Sequence, residues 1–217
     1  MKNTRYLPLN FKLDRLPCLV IGGGKVAAHK VEMLLAAGCA LTVVAPEIDG
    51  RIRNEVDRGL IRWLARAYAQ GDCEGFHLVV AATPDEEVNR AVSAESRQKG
   101  IPVNVVDVPE LCTVTFGAVW REGPLTVSVS TGGAAPFMAA AVRNRISALT
   151  RGMGEWVEAA GRFRTAVRSE VKDPTERNRL YGLFADRARI SPPAGLPQSI
   201  NLGDWLAWLN HTLDGYN

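Results

Sequence analysis

An open parallel α/β sheet, then a short α+β region, then a helical C-terminal part is the fold class this sequence predicts. Three observations carry it. Apolar strand-like runs alternate with helical periodicity over residues 17–107, a glycine-rich turn joins the first strand to the first helix, and the rhythm changes after Asp107.

Cys18–Ile21 and Ala40–Ala45 are short continuous apolar runs with β-branched residues, the pattern of strands buried on both faces. Between them Val26, Lys30, Met33 and Leu34 recur at helical spacing, and Gly38 stands where a C′ glycine ends a helix. A strand, helix and strand with so short a crossover imply a parallel pair and a right-handed connection. Val56 to Trp63 closes a second helix and opens a short strand, and His77–Ala82 is the next strand. Thr83-Pro84-Asp85-Glu86 reads as a helix start, with Thr83 as N-cap, Pro84 in the first position and Glu86 completing a capping box. That helix runs towards Gly100, and Ile101–Val106 is the last strand of the series. Such alternation is the signature of a doubly wound fold.

Beyond Asp107, Cys112–Trp120 and Leu125–Ser130 read as two strands joined at Arg121-Glu122-Gly123-Pro124. A helix follows from about Pro136, and residues 153–189 read as helical and strongly charged. Ser191–Pro197 breaks helix and serves as a linker. In the tail, Trp205, Trp208, Leu209 and Leu213 share one helical face, as in a helix docked on the body. The expected division is residues 1–112, 113–150 and 151–217.

A chain of 217 residues is comfortable for two domains, and one of this size buries roughly 70% of its unfolded surface without disulfides or metal. Hydrophobic content of 47% and charge of 23% are those of a soluble globular protein, and a net charge of +3 does not argue for nucleic acid. Cys18, Cys39, Cys73 and Cys112 are widely spaced, as are His29, His77 and His211. No metal site is expected, and the cysteines read as small buried hydrophobes. Met1–Asn10 holds charge and proline instead of a signal-peptide core, and no apolar run reaches the roughly 18 residues of a membrane span. A cytoplasmic location is the expectation.

Gly22, Gly24 and Ala27 match G-x-G-x-x-A. The first glycine permits the tight turn, the second lets the backbone approach a pyrophosphate, and the small third residue lets the helix pack on the strand. The amides and positive dipole end of the helix then hold phosphates. Following a strand and opening a helix within a βαβ unit is the context that supports this reading over a mere tight turn. The first domain is therefore expected to be an NAD-binding, Rossmann-like domain. Its usual ribose-binding acid is missing from the end of the second strand, where Glu47 stands just beyond, either on the ribose or as a first-turn helix charge. Arg51 and Arg53 are near enough in sequence to serve the 2′-phosphate of NADP, with NAD the expected cofactor. Asn104 lies within the last strand and Asp107 at its exit, where open α/β sheets bind ligands. A carboxylate there suits a general base, worth about 10²–10⁴ in rate. The other reading is that Asp-x-Pro simply makes a turn.

The chain resembles the precorrin-2 dehydrogenase family, the N-terminal module of sirohaem synthase, which includes combined dehydrogenase–ferrochelatases. The resemblance rests on Leu7-Pro8-Leu9, Gly22-Gly23-Gly24 with Val26-Ala27, Lys30, and Thr42-Val43-Val44-Ala45-Pro46. It continues through Ala81-Ala82-Thr83 with Val88-Asn89, Asn104-Val105-Val106-Asp107 with Pro109, Leu111-Cys112, and Ser130-Thr131-Gly132-Gly133 with Pro136. The stretch covered runs over about residues 6–150 in unbroken order. The resemblance implies NAD-dependent oxidation of precorrin-2, a reduced tetrapyrrole, to sirohydrochlorin, with ferrous iron as a further substrate in some members. It also implies a homodimer whose interface is formed by the region after the sheet domain, and it places the catalytic aspartate at Asp107. Cofactor contacts are expected at Gly22, Gly23, Gly24, Lys25, Val26, Ala45, Pro46, Glu47, Ala82, Thr83 and Val105. Substrate contacts are expected at Asn104, Ser130, Thr131, Gly132, Gly133 and Arg143. The family's methyltransferase domain is not expected, because the chain stops at Asn217.

Three positions depart from the family's pattern: Ala135 stands where serine is usual, Ala140 where a basic residue is common, and Gly117 where proline is usual. All lie in or beside the expected substrate region, so metal insertion is expected to be weak while oxidation is intact. Between Arg143 and Arg189 there are eleven Lys/Arg and six Asp/Glu, which suits a substrate carrying eight carboxylates or else a solvated helical face. The rival functions are a bifunctional dehydrogenase–ferrochelatase and a non-catalytic NAD-sensing dimer. No nucleic-acid or membrane partner is expected.

Overall fold

The structure, a computed structural model, describes residues 6–190 and 195–210, without the side chains of residues 189 and 190. His211, Leu213 and most of the predicted 191–197 linker lie outside the described residues. Two compact units divide between Phe116 and Gly117.

The first unit is a five-stranded parallel sheet. Its strands are β1 (Pro17–Ile21), β2 (Ala40–Val44), β3 (Ile61–Leu64), β4 (Leu78–Ala81) and β5 (Val103–Val105), in the order β3-β2-β1-β4-β5. Helices α1 (Lys25–Leu35), α2 (Gly50–Asp57) and α3 (Glu86–Gln98) supply the crossovers. Val20, Val43 and Val80 pack in one apolar cluster, while Leu19, Ile21, Val79 and Val103 pack in another, so the central strands are buried on both faces. Each such side chain stabilises the fold by about 1.5–3 kcal/mol. Ile21 pairs with both Val44 and Ala81, and Ala81 pairs with Val105, so four strands end level along one rim. Strand order reverses between β1 and β4, which makes that rim the topological switch point.

Val26 is 50% exposed, and the buried face of α1 is Ala27, Ala28, Val31 and Leu34. The first turn of α1 stands at the rim, where no strand lies beneath an outward residue. Thr83 is not the cap of α3. Asp85 is, its carboxylate accepting from the amides of Glu87 and Val88 at 2.9 and 3.2 Å. A carboxylate at the N-cap satisfies two orphan amides and carries charge favourable to the helix dipole, which a threonine further back does not match.

The second unit opens with an antiparallel hairpin, β6 (Ala118–Glu122) and β7 (Leu125–Val129). The expected strand Cys112–Trp120 is therefore strand only from Ala118, preceded by a 3₁₀ turn at Pro109–Leu111 and irregular chain. Its turn is the two residues Gly123-Pro124, since Glu122 pairs directly with Leu125. Helices α4 (Pro136–Leu149), α5 (Met153–Glu170), α6 (Pro174–Ile190) and α7 (Leu202–Asn210) follow. The Glu122 carboxylate accepts from the amides of Gly152 and Gly154, fixing the end of the hairpin to the start of α5. An aromatic core joins α5, α6 and α7: Phe163 stacks on Phe184 at 5.1 Å between centroids, and Trp205 is fully buried against both. No helix among the described residues is long and apolar enough to cross a membrane.

Candidate active site

Gly22 turns the chain off β1 with φ +115°, a conformation that L side chains rarely adopt, and its amide donates to the Val44 carbonyl at 2.9 Å. A Cβ here would lie 2.3 Å from the carbonyl oxygen of Ala82. At Gly23 the constraint is tighter: an added Cβ would meet the carbonyl oxygen of Glu47 at 2.0 Å. The Gly23 carbonyl in turn accepts from the Asp49 amide at 2.7 Å. The loop is thus wedged between the ends of β2 and β4. Gly24 differs, because a Cβ there would meet nothing within 4 Å. As N-cap of α1 it offers no side-chain bond to the helix amides. Glycines jammed behind, open space in front and an uncapped helix start form a cradle that fits a pyrophosphate.

Around the cradle stand the ends of the neighbouring strands. Ala45 is buried, while Pro46 and Glu47 are exposed beyond it. Glu47 precedes Asp49, the cap of α2, so it is not a first-turn charge of that helix. Arg51 is committed within the protein: it pairs with Asp49 and Glu32 and donates to the Lys25 carbonyl at 3.1 Å. The guanidinium of Arg53 lies 4.2 Å from the ring centre of Trp63, whose indole N–H donates to the Ala45 carbonyl at 2.9 Å. On the β4 side, Ala82 and Thr83 are half-buried, and the Thr83 hydroxyl lies 2.9 Å from Oδ1 of Asn89.

Asp107 has φ +60° and is exposed just past β5. Non-glycine residues are uncommon in this left-handed region, and such outliers gather at functional sites. Its turn is closed from behind. The Val106 amide donates to Ala81, and the Cys112 thiol sits 3.2 Å from the Val105 amide and 3.1 Å from the Val105 carbonyl. Burial raises the Cys112 thiol above its ordinary range, in keeping with this structural use. Val105 is buried, and Asn104 is directed inward, its amide donating to the Val114 carbonyl at 3.0 Å.

One residue of this neighbourhood shows in the sequence only a helical spacing and a match to the family pattern. Lys30, in the second turn of α1, has its ammonium 4.7 Å from the centre of the Phe116 ring. Burial lowers its pKa, against the opposing pull of Asp107. The available signal was a lysine inside an apolar helical periodicity.

Ser130, Thr131, Gly132 and Gly133 form the loop between β7 and α4 in the second unit. The Ser130 hydroxyl accepts from the Gly132 amide and that of Thr131 from the Ala135 amide, both at 3.1 Å. Gly132 and Gly133 have φ +64° and +84°. Arg143 on α4 donates to the Val119 carbonyl at 3.2 Å, and its Nε is buried without a partner. A Cβ at Gly117 would fall 2.4 Å from the Ser128 hydroxyl, which accounts sterically for glycine there. Among the described residues no group of three His, Cys, Asp or Glu could hold a metal ion.

Residues 9–118 match the family described as putative NAD(P)-binding, and residues 122–149 match that described as sirohaem biosynthesis protein central. A siroheme synthase of Methylococcus capsulatus is 44% identical over 177 residues, which are 81% of this chain and 37% of that protein. One of Pseudomonas entomophila is 43% identical, over 84% of this chain and 41% of its own length. The chain thus spans about two fifths of the length of these relatives. Among solved structures, a protein described as SirC, precorrin-2 dehydrogenase, superposes with a TM-score of 0.73 at 21% identity, covering 95% of this chain and all of that one.

Proposed function

The chain belongs to the putative NAD(P)-binding family, and from that premise we propose that it oxidises precorrin-2 to sirohydrochlorin with NAD. The observation that carries the reading is Asp107, exposed in a left-handed turn at the same sheet rim as the glycine cradle. Gly22, Gly23 and Gly24 with the first amides of α1 hold the pyrophosphate, and Lys25 and Val26 flank it. Ala45, Pro46 and Glu47 receive the adenosine ribose, with Ala82, Thr83 and Val105 along the remaining rim. Arg51 is engaged by Asp49 and Glu32 rather than turned to a 2′-phosphate, which favours NAD over NADP.

When bound, the nicotinamide supplies the hydride acceptor. Oxidation removes a hydride and a proton from the substrate, and the Asp107 carboxylate takes the proton. Its position outside the core leaves it room to do so, while the Cys112 clasp holds the turn. Ser130–Gly133 and Arg143 are the substrate contacts of the second unit, which with α4 also forms the homodimer interface. The second role is supported by α4 itself, which buries only Ala139 while Phe137 is 73% exposed and Leu149 84%. Iron insertion stays subordinate in this reading, because Ala135 and Ala140 depart from the family's pattern beside the substrate loop. The companion assignments are a cytoplasmic enzyme and a division into cofactor domain, dimerisation region and helical domain.

The test is anaerobic incubation with precorrin-2 and NAD, then ferrous iron, following the absorption spectrum at each stage. Wild type is expected to make sirohydrochlorin and to add iron little faster than the uncatalysed rate. Asp107→Asn is expected to lower oxidation by about 10²–10⁴ with NAD affinity kept. Turnover within about threefold of wild type would reduce Asp107 to a turn residue.

A further inference from the structure

Lys30 is the feature that the proposed function leaves unused. Side chains on a helix lean towards its N-terminus, so Lys30 projects from the second turn of α1 back towards the rim. There its ammonium rests over Phe116 at 4.7 Å. No ion pair or hydrogen bond holds this ammonium among the described residues, whereas Arg51, on the next helix, has two carboxylates. The field of Asp107 acts on Lys30, yet the two do not form an ion pair within 4.0 Å. A half-buried cation with no anionic partner is costly unless something outside the chain completes it. An aromatic platform compensates in part, fixing the direction of the charge while leaving donors open.

We propose that Lys30 is a substrate-binding residue whose ammonium takes a carboxylate of the polycarboxylate tetrapyrrole and so sets the macrocycle against Asp107. The assignment rests on the function proposed above. An ammonium and a carboxylate make a charge-assisted hydrogen bond, stronger than a neutral one, and a lysine on a ring platform places that charge at a fixed point. One charged anchor beside the base orients a flat ligand that carries acidic groups around its edge.

The test is equilibrium titration of sirohydrochlorin, which needs no turnover, by calorimetry under anaerobic conditions. Lys30→Met is expected to weaken sirohydrochlorin binding roughly 10- to 100-fold and to leave NAD affinity within about twofold. Lys30→Arg, which keeps the charge, is expected to stay within about fivefold of wild type for sirohydrochlorin. Lys30→Gln carries the same comparison if the methionine variant does not fold. Unchanged sirohydrochlorin affinity in a folded neutral variant overturns the assignment alone, as does an equal loss for NAD. A wild-type chain that does not bind sirohydrochlorin overturns both this assignment and the function beneath it. Wild-type turnover in Asp107→Asn beside weakened binding in Lys30→Met removes the base and leaves the anchor.

Discussion

Two glycine-rich loops each open a helix that no side chain caps, and they reach their shapes by different means. Residues 22–24 are forced: Gly22 and Gly23 have backbone carbonyls where a Cβ would be, and only Gly24 faces open space. Residues 130–133 are tied by their own hydroxyls, with Ser130 and Thr131 accepting from amides further along. The first loop has little freedom left to lose when a ligand arrives, whereas the second depends on two exchangeable bonds. A preorganised cradle suits a cofactor of fixed shape, while a loop held by hydroxyls can re-aim its donors as a bulky ligand enters.

Substitutions in the two loops should separate these modes. The largest effect is expected from Gly23→Ala, whose methyl collides with the Glu47 carbonyl and the Ala45 side chain. Thermal unfolding and calorimetry should show a loss of about 1–3 kcal/mol or more, together with NAD binding below detection. Gly24→Asp sharpens the contrast by failing differently. Its side chain enters open space, so the melting temperature should hardly change while the added charge abolishes NAD binding. Equal destabilisation at both positions would contradict the distinction between a jammed and an open glycine.

The comparison also requires the first unit to remain rigid, and Glu95 provides a check. Its buried carboxylate accepts from the Tyr68 hydroxyl at 2.5 Å and from the amides of Gly71 and Cys73 at 3.1 Å. Burial opposes its charge, but these donors outweigh burial and hold its pKa below the ordinary value. The linked stability is therefore present above about pH 4.3, the value of an unfolded glutamate, and is lost as pH falls through the lower folded value. Glu95→Gln should cost about 2 kcal/mol at pH 7 by urea denaturation, and the gap to wild type should shrink towards pH 3. The smallest effect is expected from Thr131→Val, about 1 kcal/mol, since one hydrogen bond goes and the loop stays solvated. A collapse of the hairpin in that variant would show the second loop to be as constrained as the first.

The order of strands and helices in the first unit was legible because strands buried on both faces appear as unbroken apolar runs. Where packing stops, periodicity misled. Val26 repeats at the right interval, but the rim gives it nothing to pack against. Cys112, Val114 and Phe116 alternate as in a strand, yet the amides of Thr113 and Val114 both donate to the Val103 carbonyl, folding that segment against the start of β5. Asp107 was legible from its place at a strand exit, whereas its left-handed backbone was not, because nothing in Asp-x-Pro demands it. Lys30 was hidden for the opposite reason: it satisfied the helical repeat and so drew no attention as a charge.

The bond from Trp63 to the Ala45 carbonyl has an optical consequence. Four of the five tryptophans, Trp120, Trp156, Trp205 and Trp208, fall in the second unit, leaving Trp63 as the one indole of the first. It is anchored to the end of β2 and covered by Arg53. With the other four replaced by phenylalanine, indole emission, excited at the red edge where the four tyrosines do not absorb, reports on this strand end alone, so a dye-free protein carries its own fluorescent gauge of changes beside the glycine cradle.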